Sequence, residues 1–182
     1  MKVKILNEEG YYQAMYGLSL SYNKKVEEVE DVAIKLAGLD KGHNKFLESM
    51  VVWIEVQAPL DFHIQLDTYR VGMTKQSQST MHTLKKRALR QEDFEIEIPQ
   101  YYLDYLNSII DSGLPVTYIK KLLPCGFLQT RVLCTNYKTI RNIIIQRQNH
   151  KLLEWKVFCE AMKALKYYNL LGLKDDKSQA IK

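Results

Sequence analysis

Residues 135 to 147 read TNYKTIRNIIIQR, and two amides and a guanidinium, Asn136, Asn142 and Arg147, interrupt a run otherwise apolar enough for a core helix. An α-helix turns about 100° per residue, so eleven residues make almost a whole number of turns, and Asn136 and Arg147 share a face. Ile140, Ile143 and Ile144 lie near that face, and Thr139, Asn142 and Gln146 cluster on the next flank. A polar stripe beside an apolar one suits the wall of a cleft that grips a polar ligand. The ordinary alternative is that Asn136 caps the helix while Asn142 and Arg147 meet water or neighbouring carbonyls.

Other reactive side chains are less ordered. The segment QSQSTMH, 76 to 82, is rich in hydroxyls but has no G-x-S-x-G elbow around it. Its serines are better suited to holding a phosphate through hydroxyl and backbone N–H groups. The basic run LKKRALR, 84 to 90, reads as a solvated face; nucleic acid is weakly indicated, and an anionic nucleotide ligand fits equally. His43, His63, His82 and His150 are scattered, so no metal-binding pair is expected. Cys125, Cys134 and Cys159 are odd in number and form no CxxC, which disfavours a disulfide framework or zinc site and points to buried thiols. No Gly-rich phosphate loop occurs.

The elements that must position these groups follow from composition and periodicity. A chain of 182 residues, 46% hydrophobic and 26% charged with a formal charge of +5, suits one globular domain over 1–182. No apolar run is long enough to span a membrane, and MKVKILNEEG lacks a signal-peptide core, so a cytoplasmic protein without a membrane partner is expected. Apolar spacing predicts helices over 11–22 and 25–37, the second ended by Gly38, and a short helix in GHNKFLES. SMVVWIEVQ predicts a strand over 50–57, and Pro59 opens a helix through LDFHIQLDTY. RVGMTKQSQSTMH, 70 to 82, has no hydrophobic period and reads as a functional loop. EDFEIEIP alternates like an edge strand, QYYLDYLNSIIDSG and PVTYIKKLL read as helices, and FLQTRVLCT reads as a strand feeding the helix that follows it. LLEWKVFCEAMKALKYYNLL predicts one long helix, with a frayed tail over about 173–182. Strands separated by helices without a regular βαβ repeat predict an α+β fold with a central mixed or antiparallel sheet flanked by helices.

In that order the segments resemble the flavin-dependent thymidylate synthase family over roughly residues 14 to 168. Leu123-Pro124, Asn136, Asn142 and Arg147 match the family pattern without a gap, with Lys138 where arginine is usual. His150 and Glu154 echo the family's H-A-Q-x-E after one missing residue. Upstream, GHNKFLES followed by Ala58-Pro59 matches a G-H-x-[ST]-x-x-E-H segment at Gly42, His43 and Glu48, with Ser49 in place of histidine. The signature R-H-R-x-x-S-x-N-E-x-S-x-R-Y is degenerate: Arg70 stands for its second arginine with Gln65 upstream, and Thr68 and Tyr69 replace Arg-His. Ser79 is reached with one extra residue, and Met81 and His82 replace Arg-Tyr.

The resemblance implies a homotetramer that binds FAD and passes a one-carbon unit from methylenetetrahydrofolate to C5 of dUMP, with NADPH supplying reducing equivalents. It places Arg70, Asn136, Lys138, Asn142, His43 and Ser49 on the cofactor. It places Gln65, Ser79, Lys120 and Arg147 on the nucleotide, Arg147 also stabilising negative charge on the pyrimidine; because lysine lacks an arginine's bidentate fork, Ser77, Thr80 and their backbone amides are expected to complete the phosphate grip. The altered loop leaves open a different pyrimidine nucleotide, a hydroxymethylated product, or a catalytically silent relative that binds nucleotide or a partner chain.

Overall fold

The computed structural model describes residues 1–39 and 41–173, so the expected tail lies outside the described residues from 174 onward. Four strands, β1 (Lys2–Glu9), β2 (Val51–Pro59), β3 (Met73–Ser77) and β4 (Leu128–Asn136), form one open antiparallel sheet in the order β1-β2-β4-β3. Eight α-helices occur among the described residues: α1 (Tyr11–Tyr22), α2 (Glu30–Ala37), α3 (Leu60–Leu66), α4 (Thr80–Thr83), α5 (Gln100–Asp111), α6 (Val116–Leu122), α7 (Tyr137–Arg147) and α8 (Leu153–Ala161). The class is α+β, as the spacing of strands and helices predicts. No described helix is long and apolar enough to cross a membrane.

The chain clusters into two compact units built from interleaved segments. The first comprises 1–2, 55–69 and 75–132, and its core is made by Leu84, Phe94, Leu103, Leu106, Ile119 and Phe127. The second comprises 3–54, 70–74 and 133–182. Within its described part, Met15, Leu47, Ile140, Ile143, Trp155 and Phe158 are all fully or nearly fully buried.

Several expectations are corrected. Residues 2–9 form a strand that the sequence pattern did not announce, because every side chain in it stays at least partly exposed. The helix expected over 25–37 begins as a 3-10 turn, Val26–Glu28, and becomes α-helical only from Glu30. The helix after Pro59 ends at Leu66 rather than continuing to Tyr69. The segment expected as a loop, 70–82, instead contains β3 and the start of α4. Strand β3 lies at the sheet edge and buries only Met73, so it needs no alternating apolar pattern.

EDFEIEIP, conversely, is not a strand beyond one bridge between Phe94 and Phe127. The Gln91 side chain takes the place of a neighbouring strand, donating to the Ile98 carbonyl at 2.9 Å and accepting from its N–H at 3.0 Å. The long C-terminal helix also breaks after Ala161. There the Lys166 N–H is captured by the Glu8 carboxylate and the Tyr167 N–H by the Tyr137 hydroxyl, removing donors a helix would use. Of the three cysteines only Cys159 is buried; Cys125, in the turn before β4, is exposed, and Cys134 is half-buried because most β4 side chains are only partly covered.

Candidate functional site

Asn136 ends β4 and opens α7, and its side-chain oxygen accepts the Thr139 N–H at 2.9 Å. The capping role and the proximity to other polar groups therefore coincide. Lys138, in the first turn, forms an ion pair with Glu48. Against this turn lies a short strap, 70 to 72, tied down by two hydroxyls: Thr135 Oγ1 donates to the Gly72 carbonyl at 2.9 Å and Thr139 Oγ1 to the Val71 carbonyl at 3.3 Å. Gly72 has φ of 69°, and a β-carbon there would lie 2.5 Å from Thr139 Oγ1 and 2.8 Å from Asn136 Nδ2. Only glycine fits both the backbone and the space. Arg70 heads the strap with its side chain exposed.

Further along α7 the predicted residues diverge. Asn142 faces outward, and Arg147, in the last turn, is half-buried with its guanidinium 4.8 Å from the centre of the Trp155 ring. That contact fixes a long side chain by cation–π attraction. The helix is anchored by Ile140, Ile143 and Ile144, and by Tyr137, whose phenol bonds the Glu8 carboxylate. Burial first, and then the bond to Glu8, push the Tyr137 hydroxyl far above its ordinary pKa, so it stays a neutral donor.

His43 and Ser49 line one shallow depression of about 260 Å³ beside α1, together with Ala14, Gly17 and Phe46. Ser49 spends its hydroxyl on the Phe46 carbonyl at 2.8 Å. Its own carbonyl closes on Gly10, where φ is 91° and a β-carbon would come within 2.2 Å of it.

In the other unit, Gln65 sits half-buried on α3, with its carbonyl accepting the Thr68 hydroxyl at 2.7 Å. Ser77 ends β3 in solvent. Ser79 precedes α4 without a side-chain capping bond, and its carbonyl takes the Thr83 hydroxyl at 2.9 Å. Thr80 is buried at 6% exposure, so of the expected phosphate-gripping set only Ser77, Ser79 and Lys120 present side chains at the surface of this unit. Lys120 is on α6, which packs against α4.

A hollow of about 400 Å³ lies nearby, lined by Gln57, Gln78, Lys86, Arg87, Phe127 and Thr130 among others. Of its cations, Arg87 is paired with Asp93 through both carboxylate oxygens. Burial works against the charge on Asp93, but hydrogen bonds from Arg87 and from the Arg90 N–H hold its carboxyl below the ordinary range. No described group of three or more His, Cys, Asp or Glu side chains could hold a metal ion.

Spacing did not single out Thr135 and Gly72, which tie the strap after Arg70, or Trp155, which meets Arg147; Glu48 matched a motif without its pairing to Lys138 being visible.

No family model matches the chain, and no curated relative matches it either. Among solved structures, it is similar to the flavin-dependent thymidylate synthase of Helicobacter pylori complexed with FAD and dUMP, with a TM-score of 0.78 and 14% identity over 96% of this chain and 99% of that one. A second structure of thymidylate synthase X from Helicobacter pylori, with FAD and dUMP, gives a TM-score of 0.76 at 14% identity, covering 96% and 98%. The fold of this chain is that of a flavin-dependent thymidylate synthase.

Proposed function

We propose that this chain is an FAD-dependent enzyme that transfers a one-carbon unit from methylenetetrahydrofolate to C5 of a pyrimidine nucleotide, most simply converting dUMP to dTMP. NADPH is the reductant and the working form is a homotetramer. The observation that carries this reading is the first turn of α7: on a chain-length match to a fold crystallised with FAD and dUMP, it presents the Asn136 amide and the Lys138 ammonium, with the Val71–Gly72 backbone that follows Arg70 tied to Thr135 and Thr139. Those groups fit a flavin dinucleotide, because Asn136 Nδ2, Lys138 and Arg70 are all donors suited to a diphosphate. The glycine at 72 also lets backbone approach where a β-carbon would block it.

Bound there, FAD would supply the carbon-carrying and redox chemistry that no side chain can. Arg70, Asn136, Lys138 and Asn142 would hold it, with His43 and Ser49 on the depression beside α1. Gln65, Ser77, Ser79, Thr80 and Lys120 would receive the nucleotide, Thr80 through its backbone since its side chain is buried. Arg147 would hold the pyrimidine and stabilise negative charge on its carbonyl oxygen as C5 becomes nucleophilic, a role suited to a cation that cannot lose its proton. The ring of Trp155 keeps that guanidinium oriented beforehand.

A second reading, a changed nucleotide or product or a silent nucleotide-binding relative, is favoured by one feature: the segment that resembles the family's signature lacks its Asn-Glu and Arg-Tyr pairs, with Met81 and His82 in place of the latter. Purified protein supplied with FAD, methylenetetrahydrofolate and NADPH should release tritium from C5-labelled dUMP and yield dTMP by mass. Arg147→Ala should stop that release while the protein remains folded. FAD uptake without tritium release from dUMP, dCMP or UMP would move the assignment to the silent relative.

A further inference from the structure

The strap at 70 to 72 has no apolar anchor of its own. Arg70 is exposed and Val71 is 90% exposed, so burial contributes nothing to its position until Met73, at 8%, enters the edge strand. What holds it is a pair of hydroxyls, one from the end of β4 and one from the first turn of α7. Thr135 is 3% exposed and spends its single O–H on the Gly72 carbonyl; Thr139 spends its O–H on the Val71 carbonyl, while its N–H goes to the Asn136 side chain. One threonine thus belongs to both the cap of α7 and the clamp on the strap.

We infer that Thr135 and Thr139 are positioning residues that fix the backbone of the Arg70–Gly72 strap so that Arg70 meets an anionic group of the cofactor. The inference rests on the flavin reading above. An arginine on an unclamped, solvated strap must surrender backbone as well as side-chain freedom when it binds, and that ordering cost weakens association. Two buried or half-buried hydroxyls remove the backbone part in advance. Valine is the informative replacement at both positions. It keeps the β-branched shape that strand and helix accommodate here, and it deletes only the O–H.

FAD affinity is read by titrating flavin fluorescence into purified protein. Thr135→Val with Thr139→Val should weaken FAD by roughly tenfold, the scale of fixing the backbone of one residue at the moment of binding. Serine at both positions should restore affinity. The same pair of valines placed in an Arg70→Ala background should cost almost nothing further, because the clamp acts through Arg70. Without ligand, trypsin should cut after Arg70 faster in the double valine variant than in the unaltered chain. Unchanged FAD affinity in the double variant, or an undiminished loss in the Arg70→Ala background, overturns the inference while leaving the functional reading in place. An unaltered chain that never saturates with FAD overturns both.

Discussion

The first turn of α7 and the first turn of α4 carry similar groups, an amide or hydroxyl at the cap and a cation on or near the next helix face, yet they hold them by different means. At α7 the cap side chain is used, and the helix behind it runs for 11 residues with Ile140, Ile143 and Ile144 buried. Each such isoleucine contributes about 1.5–3 kcal/mol of burial, so the polar face is fixed by the apolar one. At α4 the helix has 4 residues, Ser79 makes no side-chain capping bond, and Ser77 stands in solvent. Groups of the first kind are held in place by the fold itself; groups of the second kind keep their conformational freedom.

The largest test of that difference is glycine replacement. Gly72→Ala must place a non-glycine residue at φ of 69° and also displace Thr139 Oγ1 and Asn136 Nδ2. Gly113, in the other unit, has φ of 79° but nothing within 4 Å of a built β-carbon. The left-handed conformation alone costs about 1–2 kcal/mol, and the added clash should bring Gly72→Ala to about 3 kcal/mol. Urea denaturation of the two variants measures the gap. Equal losses would mean that the strap yields easily and the clamp is loose.

A smaller test compares the caps directly. Asn136→Ala removes the acceptor for the Thr139 N–H and should cost about 1–2 kcal/mol, whereas Ser79→Ala, with no side-chain capping bond to lose, should stay within about 0.5 kcal/mol. The melting temperatures of the two variants decide it. If Ser79→Ala proved the costlier, α4 would be held by its cap after all.

The same contrast explains what could be read in advance. Helix α7 was legible because Ile140, Ile143 and Ile144 recur at helical spacing and because Asn136 and Arg147 fall on one face by arithmetic alone. The order of the segments carried the fold. The strand β3 was not legible, since an edge strand that buries only Met73 has no period to detect. Residues 94 to 98 misled for the opposite reason: Phe94, Ile96 and Ile98 alternate, but the Gln91 amide satisfies the Ile98 backbone where another strand would. The break after Ala161 was hidden in Glu8 and Tyr137, residues distant in sequence whose side chains intercept backbone donors. The polar residues of α7 could be named from spacing, but their contacts could not, because partners such as Thr135 and Trp155 are defined by tertiary contact.

The smallest effect is electrostatic and again separates the two regions. The charged Lys138–Glu48 pair beside α7 is partly exposed, while the other unit encloses an ionisable ring: His63 on α3 is fully buried. Its Nε2–H donates to the Gln129 carbonyl at 2.8 Å, and its Nδ1 has no hydrogen-bond partner among the described residues. Burial lowers the His63 pKa, against the opposing pull of the Gln129 carbonyl, and the Arg131 charge lowers it further. A second proton would have to go on the enclosed Nδ1. With the folded pKa below 6.5, the unfolded chain binds the proton first as pH falls, so stability is complete above the unfolded value and declines below it. From pH 7 to pH 6 the loss from one such site is at most about 0.7 kcal/mol, reckoned from an unfolded pKa of about 6.5. Denaturation midpoints of the unaltered chain and of His63→Gln, followed over that interval, should diverge in slope, with the glutamine variant the flatter. Parallel slopes would place the acid sensitivity of the fold elsewhere and remove the ring from the account.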